Sequence, residues 1–204
     1  MFFQAIENLT NVDWLILTTT AFSYLFIGYA IKKKKGSGQS FFAWIMWLIL
    51  DVILLIPTLK ESGKSSLMLF VSILGSFFIS ILLLKFKKVE WNLGEWISLI
   101  LIFIVGFIWY FSSNNDTVIS CGVACQVIAG ISLTIKTWQE PEPEYIPGYL
   151  FFILGCIFLL ILEKNFLKSF SLQDHLFPLF LGIQTVAEII ALVRKLWQTR
   201  LKRK

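Results

Sequence analysis

The sequence predicts an all-α integral membrane protein with seven transmembrane helices, and composition and the length of its apolar runs both lead to this fold class. Of 204 residues, 57% are hydrophobic and 15% are charged. The mean hydropathy of +0.77 is too high for a soluble domain of this size. The apolar runs are continuous over about 18 to 22 residues, the length of a helix that crosses a hydrocarbon core of about 30 Å. A β-barrel strand would instead alternate apolar and polar residues over about ten positions.

Polar breaks divide the chain into seven apolar runs joined by short connections. The runs cover roughly residues 14–31, 41–59, 66–84, 95–111, 117–135, 146–162 and 176–193. No basic residue and no small-residue cleavage site precede the first run, so we expect a retained helix rather than a cleaved signal peptide.

Basic residues are distributed unequally between alternate connections, which predicts the orientation in the membrane. One side receives 14 of the 18, namely Lys32 to Lys35, Lys85, Lys87, Lys88, Lys136, Arg194, Lys195, Arg200, Lys202, Arg203 and Lys204. The other side receives Lys60, Lys64, Lys164 and Lys168. By the positive-inside rule the first side is cytoplasmic, so the N-terminus is outside and the C-terminus is inside. The net charge of +5 then reflects topology rather than nucleic-acid binding, and we expect a multi-pass protein of a cell membrane, the bacterial inner membrane.

Two stretches of the chain match when the sequence is shifted by 104 residues. Residues 27–47 then align with residues 131–151, Lys32 meets Lys136, and Phe41 meets Tyr145. This register predicts two parallel three-helix units, residues 1–90 and residues 115–204 with the basic tail, joined by a linker helix within 91–114. A competing match of ILGSFFIS at 73–80 with ILGCIFLL at 153–160 predicts inverted halves. We prefer the parallel register because it extends without a gap through a helix, a loop and the next helix.

The predicted arrangement has three helices, a linker helix and three further helices (3+1+3), with a polar cytoplasmic loop after helices 1 and 5. This arrangement resembles the SWEET and PQ-loop superfamily. Members typically carry Pro-Gln four residues before a lysine at these helix ends. Here the positions hold Gly28-Tyr29 before Lys32 and Ser132-Leu133 before Lys136, so the hinge prolines are absent. The stretch TIKTWQEPEPEYIPGYLFF also resembles uncharacterised bacterial membrane proteins with a Pro-x-x-Glu loop. The superfamily resemblance implies transport of a small solute by rocking of two three-helix bundles about a central site.

Two acidic residues, Asp51 and Glu188, fall near the middle of predicted helices 2 and 7. An ionisable side chain near the bilayer centre costs at least about 2.5 to 3.5 kcal/mol, so each acid requires an account. Helical spacing places polar or aromatic neighbours on the same faces, which we expect to point inward. The predicted substrate-binding residues are Glu188, Gln184, Thr185, Asp51, Trp47, Gln126 and Tyr24.

Each of these residues also has a structural interpretation. The acids can be protonated and hydrogen-bonded to a neighbouring helix, and Asp51 can instead be hydrated near the outer interface. A lone amide such as Gln126 commonly bonds across helices. On helix 3, Ser72, Ser76 and Ser80 recur every four residues with Gly75 alongside, a small-residue stripe that is typical of a close helix contact.

The two polar loops suggest a cytoplasmic gate. Lysines 32 to 35 and the acidic residues of the second loop are expected to face each other across the pseudo-two-fold axis, although a solvated charged face is the alternative. The predicted gate residues are Lys32, Lys33, Glu140, Glu142 and Glu144.

No sequence motif predicts an enzyme. The chain has one histidine and three cysteines within apolar runs, so we expect no metal site, no cofactor and no catalytic activity. We expect a facilitator or proton-coupled carrier for a small polar or cationic metabolite, with the lipid bilayer as partner and homo-oligomers left open. The alternative is a non-transporting seven-helix receptor or assembly partner whose buried acids are structural.

Overall fold

The computed structural model describes residues 10–61, 63–86, 93–112, 115–162 and 172–201. Over these ranges the chain forms seven α-helices, one short 3-10 helix and no β-strand, so the predicted all-α class is confirmed. The α-helices are α1 (Asn11–Lys34), α2 (Phe41–Glu61), α3 (Gly63–Phe86), α4 (Leu93–Phe111), α5 (Asn115–Gln139), α6 (Ile146–Leu162) and α7 (Leu172–Leu201), and the 3-10 helix (Pro143–Tyr145) precedes α6.

Each of the seven predicted apolar runs lies within one of these helices. Several of the basic residues used to predict topology lie outside the described residues, namely Lys87, Lys88, Lys164, Lys168 and Lys202 to Lys204, as does the N-terminal stretch 1–9.

Four helices in the described ranges are long and apolar enough to cross a membrane. The candidate spans are Asp13–Lys34, Met68–Phe86, Ser120–Gln139 and Pro143–Leu160, and shorter apolar helical stretches cover Phe41–Leu55 and Glu95–Ile108. The outward surface is also apolar, since Phe103 is 71% exposed and Leu84 is 55% exposed. A contiguous apolar exterior is costly in water but is solvated by lipid chains. Helix length and surface together fit a membrane protein.

The sequence around α1 explains where this helix begins and ends. Thr10 and Asp13 form a capping box in which the Thr10 backbone N–H donates to Asp13 Oδ2 at 2.8 Å and the Asp13 backbone N–H donates to Thr10 Oγ1 at 3.4 Å. At the other end Lys35 takes a left-handed conformation with φ of 52°, and Gly36 and Gly38 follow with positive φ. The chain thereby turns sharply into α2.

We group the helices by shared packing partners into an α1–α3 set and an α5–α7 set. The helix α3 packs against both α1 and α2, and α7 packs against both α5 and α6. Contacts of α1 with α6 and of α2 with α5 join the sets, and α4 packs on α5 and α2. A buried core that includes Ile27, Trp44, Leu133 and Leu192 crosses the junction. The space between the two sets is where the polar residues of the interior meet.

Candidate functional site

A small cavity of about 30 Å³ lies between the α1–α3 set and the α5–α7 set. All seven residues predicted to bind substrate line it: Tyr24, Trp47, Asp51, Gln126, Gln184, Thr185 and Glu188. The lining is completed by Ile27, Trp44, Ser72, Tyr149, Phe152 and Leu181. Six helices therefore contribute to one cavity, and the sequence-predicted residues are brought together. Their role in binding stays a prediction.

On one side of the cavity, Asp51 of α2 is buried and accepts a hydrogen bond from Nε2 of Gln126 on α5. Trp47 Nε1 donates to the backbone oxygen of Gln126 at 3.0 Å. These two bonds join α2 to α5. Asp51 is thus enclosed between helices, and its side chain is 3% exposed, so the structure does not place it at a hydrated surface.

Tyr24 reaches the same side of the cavity through a close contact between α1 and α3. A Cβ added at Gly75 of α3 would lie 2.2 Å from the Tyr24 ring, so only glycine leaves room for the ring at this position. This agrees with the close helix contact expected from the small residues of helix 3.

On the other side, Glu188 of α7 is buried and accepts a hydrogen bond from Nε2 of Gln184 at 3.1 Å. The hydroxyl of Tyr149, on α6, also interacts with the Glu188 carboxyl. Gln39 Nε2 donates to that hydroxyl at 3.2 Å, and Trp44 Nε1 donates to Gln39 Oε1 at 2.9 Å. A chain of buried polar contacts therefore leads from the α1–α2 loop to the acid in the cavity.

Thr185 is a weaker contributor than its neighbours on α7. Its hydroxyl donates to the backbone oxygen of Leu181 at 2.7 Å, within its own helix. Its donor is thereby used, so its hydroxyl can only accept a hydrogen bond from a ligand.

Aromatic rings form a continuous wall of the cavity. Trp44 and Trp47 meet edge to face with ring centroids 5.0 Å apart, and Tyr24 contacts Trp44 at 6.0 Å and Phe152 at 6.2 Å in the same geometry. Such arrangements stabilise ring pairs and leave ring faces free for other contacts.

Sequence reasoning missed Tyr149, Phe152 and Gln39. The i, i+3 spacing of Tyr149 and Phe152 places them on one helix face, but that run is so apolar that no face is distinguished. Gln39 lies in a polar loop and carries no signal of burial, although its side chain is fully buried.

The two polar loops meet at one end of the bundle and form a clamp, which we define by Lys33 and Lys34 on one side and Glu140, Glu142 and Glu144 on the other. Lys34 Nζ lies 3.1 Å from Glu142 and 2.9 Å from Glu144, and Lys33 Nζ lies 3.7 Å from Glu144. Of the predicted gate lysines Lys32 and Lys33, only Lys33 is in these pairs, and Lys34 takes the central place.

Hydrogen bonds also hold the clamp together. Glu140 Oε2 accepts from the Gly38 backbone N–H at 3.1 Å and from Ser37 Oγ at 3.3 Å. The Tyr145 hydroxyl donates to the Ser37 backbone oxygen at 2.9 Å, and Thr137 Oγ1 donates to the Gly38 backbone oxygen at 3.2 Å. The loops are therefore held by backbone contacts as well as by ion pairs.

Within the part of the chain that the structure describes, no group of three or more His, Cys, Asp or Glu side chains is arranged to hold a metal ion. Cys121, Cys125 and Cys156 are free thiols.

No protein-family model, curated protein or solved structure matches this chain. The resemblance to the SWEET and PQ-loop superfamily stays a prediction.

Proposed function

We propose that this chain is a seven-helix membrane carrier that moves a small polar or cationic solute by alternating access, as a facilitator or coupled to a proton. The observation that carries the proposal is the cavity between two three-helix sets, lined by Asp51 and Glu188. Acidic residues inside a membrane bundle are costly and commonly mark pathways for cations or protons. A cavity between two rocking sets is also the usual site for alternating access.

Helix neighbours support a parallel repeat. In a parallel repeat, α1, α2 and α3 correspond to α5, α6 and α7. The contact α1–α3 then corresponds to α5–α7, α2–α3 corresponds to α6–α7, and α1–α6 corresponds to α5–α2. All six of these contacts occur. This correspondence leaves α4 as the linker, as in a 3+1+3 SWEET-like arrangement. The inverted register would relate α2–α3 to α5–α6, which is not among the main contacts of the described helices.

Contacts at one end of the bundle support the proposed orientation. The clamp lies at this end, where Ser40 Oγ donates to Glu95 Oε1 at 2.6 Å and the Arg194 guanidinium lies 4.1 Å from the centre of the Trp138 ring. The start of α4 and the basic part of α7 are thus on the side of Lys33 and Lys34. In the proposal this end is cytoplasmic, the N-terminus is outside, and all seven helices span the inner membrane of a bacterium.

The clamp acts as the cytoplasmic gate in this proposal. Opening it would separate the α1–α2 loop from the α5–α6 loop and draw Gln39 away from Tyr149. Because Tyr149 contacts Glu188, the gate and the acid in the cavity would respond to each other. The central ion pairs of the clamp are partly buried, and surface ion pairs contribute only about 0 to 1 kcal/mol each, which suits a gate that must open readily.

A non-transporting receptor or assembly protein is the second candidate. It is favoured by the hydrogen bonds that Asp51 and Glu188 already receive from Gln126 and Gln184, since such bonds can serve helix association alone. In that case the two acids hold the bundle together.

Replacement of one acid distinguishes the two candidates. Uptake of a labelled solute library is measured in proteoliposomes with wild-type protein and with Glu188→Gln, and thermal unfolding is measured in parallel. A carrier should lose pH-dependent uptake while Glu188→Gln unfolds near the wild-type temperature. A structural acid should give the opposite pattern, with no specific uptake by wild-type protein and a marked loss of thermal stability in the variant.

A further inference from the structure

We propose that the cavity selects a small organic ammonium ion with an apolar or aromatic portion. The inference rests on the proposed function in that it concerns the same cavity, but it makes a claim about binding that holds whether or not the bound ion is transported.

The first argument is an excess of hydrogen-bond acceptors. Asp51 pairs with Gln126 and Glu188 pairs with Gln184, and in both pairs the amide nitrogen donates to the carboxyl group. The nitrogen is the only donor of an amide side chain, so each amide is left presenting its oxygen. Oε1 of Gln126 and Oε1 of Gln184 are both buried without a hydrogen-bond partner.

Unpartnered buried acceptors favour a ligand rich in donors. A buried polar atom without a partner costs about 1 to 3 kcal/mol, so a group that supplies hydrogens to these oxygens recovers that cost on binding. Gln126 is 1% exposed and Gln184 is 8% exposed, and both side chains line the cavity. An ammonium group carries up to three N–H donors and no acceptor, which matches a carboxyl oxygen beside an amide oxygen.

The second argument is the sign of the charge. The cavity lining includes two acidic side chains and, among the described residues, no lysine, arginine or histidine. Lys34 of the clamp instead forms ion pairs with Glu142 and Glu144. Buried charges are normally paired, so the partner of a carboxylate in this cavity must come from the ligand or from a bound proton.

The third argument is the aromatic wall formed by Tyr24, Trp44, Trp47 and Phe152. A cation over the face of an indole or phenol ring is attracted by the ring quadrupole, more strongly when water is excluded. The same rings bury the apolar part of an organic cation, which a bare metal ion lacks. The combination of acids, amide oxygens and rings distinguishes an organic ammonium ion from an inorganic cation.

A matched set of probes tests the charge preference on the unaltered protein. Wild-type protein in nanodiscs is titrated with phenethylamine, phenethyl alcohol and phenylacetate, which share a skeleton and differ in charge, and with ethylamine and sodium chloride. Binding is measured by calorimetry and by tryptophan fluorescence, because Trp44 and Trp47 line the cavity. We expect the Kd of phenethylamine to be at least tenfold lower than that of the alcohol, with no binding of phenylacetate. Equal binding of amine and alcohol, binding of sodium alone, or no ammonium binding would overturn the proposal.

Variants locate the bound ion. Asp51→Asn and Glu188→Gln should each raise the Kd of phenethylamine at least tenfold. Glu95→Gln is the matched control, because Glu95 is an equally buried acid that lies outside the cavity. Loss of binding by the control to the same extent as by Glu188→Gln would overturn the assignment of the site. The probe series needs no variant, so it decides the question even if a substituted protein fails to fold.

Failure of this inference and failure of the proposed function give different results. Selective binding of phenethylamine without its transport into proteoliposomes would support the ammonium site and contradict the carrier function. Transport of a neutral solute without preferential binding of ammonium ions would support the carrier function and contradict the proposed ammonium site.

Discussion

Substitution of Gly130 by alanine should disconnect Gln184 from Glu188 without changing either residue. Gly130 lies on α5, where an added Cβ would be 1.8 Å from Nε2 of Gln184 on α7. Ordinary contact begins at 3.4 Å, so the amide must move by about 1.6 Å. Its 3.1 Å bond to Glu188 Oε1 would then fall outside hydrogen-bond range.

The expected loss of stability is modest because the atom in the way is the end of a flexible side chain. Loss of one buried hydrogen bond costs about 1 kcal/mol, which corresponds to roughly 2 to 4 °C in the unfolding midpoint of a protein of this size. The effect on ligand binding and uptake should be larger, since the displaced amide also occupies part of the cavity. Thermal unfolding and probe binding are both measured on the purified variant.

Gly106→Ala is the matched control, because a Cβ added at Gly106 of α4 meets nothing within 4 Å. A second control combines Gly130→Ala with Gln184→Ala, which removes the clashing side chain. The double variant should be no less stable than Gln184→Ala alone. If Gly130→Ala behaves like Gly106→Ala in stability and in binding, the packing of Gln184 described above is wrong.

Three further predictions concern the clamp end of the bundle. Gly38→Ala should lower the unfolding temperature by more than Gly130→Ala. The backbone φ of Gly38 is +74°, and the new Cβ would lie 2.4 Å from the backbone oxygen of Glu140, which cannot rotate away. An unchanged unfolding temperature would contradict the loop geometry. Reversing the charges of Glu140, Glu142 and Glu144 together should change the uptake rate, less so at high salt, and unchanged kinetics would reject the gate. Ser40→Ala should cost about 2 to 4 kcal/mol in unfolding free energy, because Ser40 Oγ accepts from a backbone N–H in the first turn of α2 and donates to the buried Glu95 carboxyl at 2.6 Å. An unaltered midpoint would show that neither bond contributes.

Convergence of the acidic residues could be predicted from the sequence because two local rules apply to them. Burial of a carboxyl group in hydrocarbon is costly, so Asp51 and Glu188 had to face the interior of the bundle. Helical periodicity then placed Trp47 beside Asp51 and Gln184 beside Glu188. Neither rule depends on knowing which helices touch.

Partners that depend on tertiary contacts could not be predicted in the same way. Tyr149 reaches Glu188 because α6 packs against α7, and Gln39 reaches Tyr149 because the α1–α2 loop folds inward. The choice of Lys34 over Lys32 in the clamp follows from where α1 ends, and this is fixed by the left-handed conformation of Lys35. A repeat of four lysines contains no information about which one faces the acidic loop.

Glu95 illustrates a second limit of sequence reasoning. It is the first residue of an apolar run and carries no sequence signal of burial, yet it is 1% exposed and accepts a hydrogen bond from Ser40. Such burial depends on the short contact between the starts of α2 and α4, which a one-dimensional pattern does not contain.

Access to the cavity from each side of the membrane tests the carrier proposal most directly, because it requires no knowledge of the substrate. Thr185 lines the cavity and is 5% exposed, and its replacement by cysteine is a small change. Cys121, Cys125 and Cys156 are first replaced by alanine, and Thr185→Cys is reconstituted in liposomes of known orientation. A membrane-impermeant maleimide is added from outside or from within. We predict labelling from either side, because alternating access exposes the cavity to both; labelling from one side only, or from neither, would contradict the proposal.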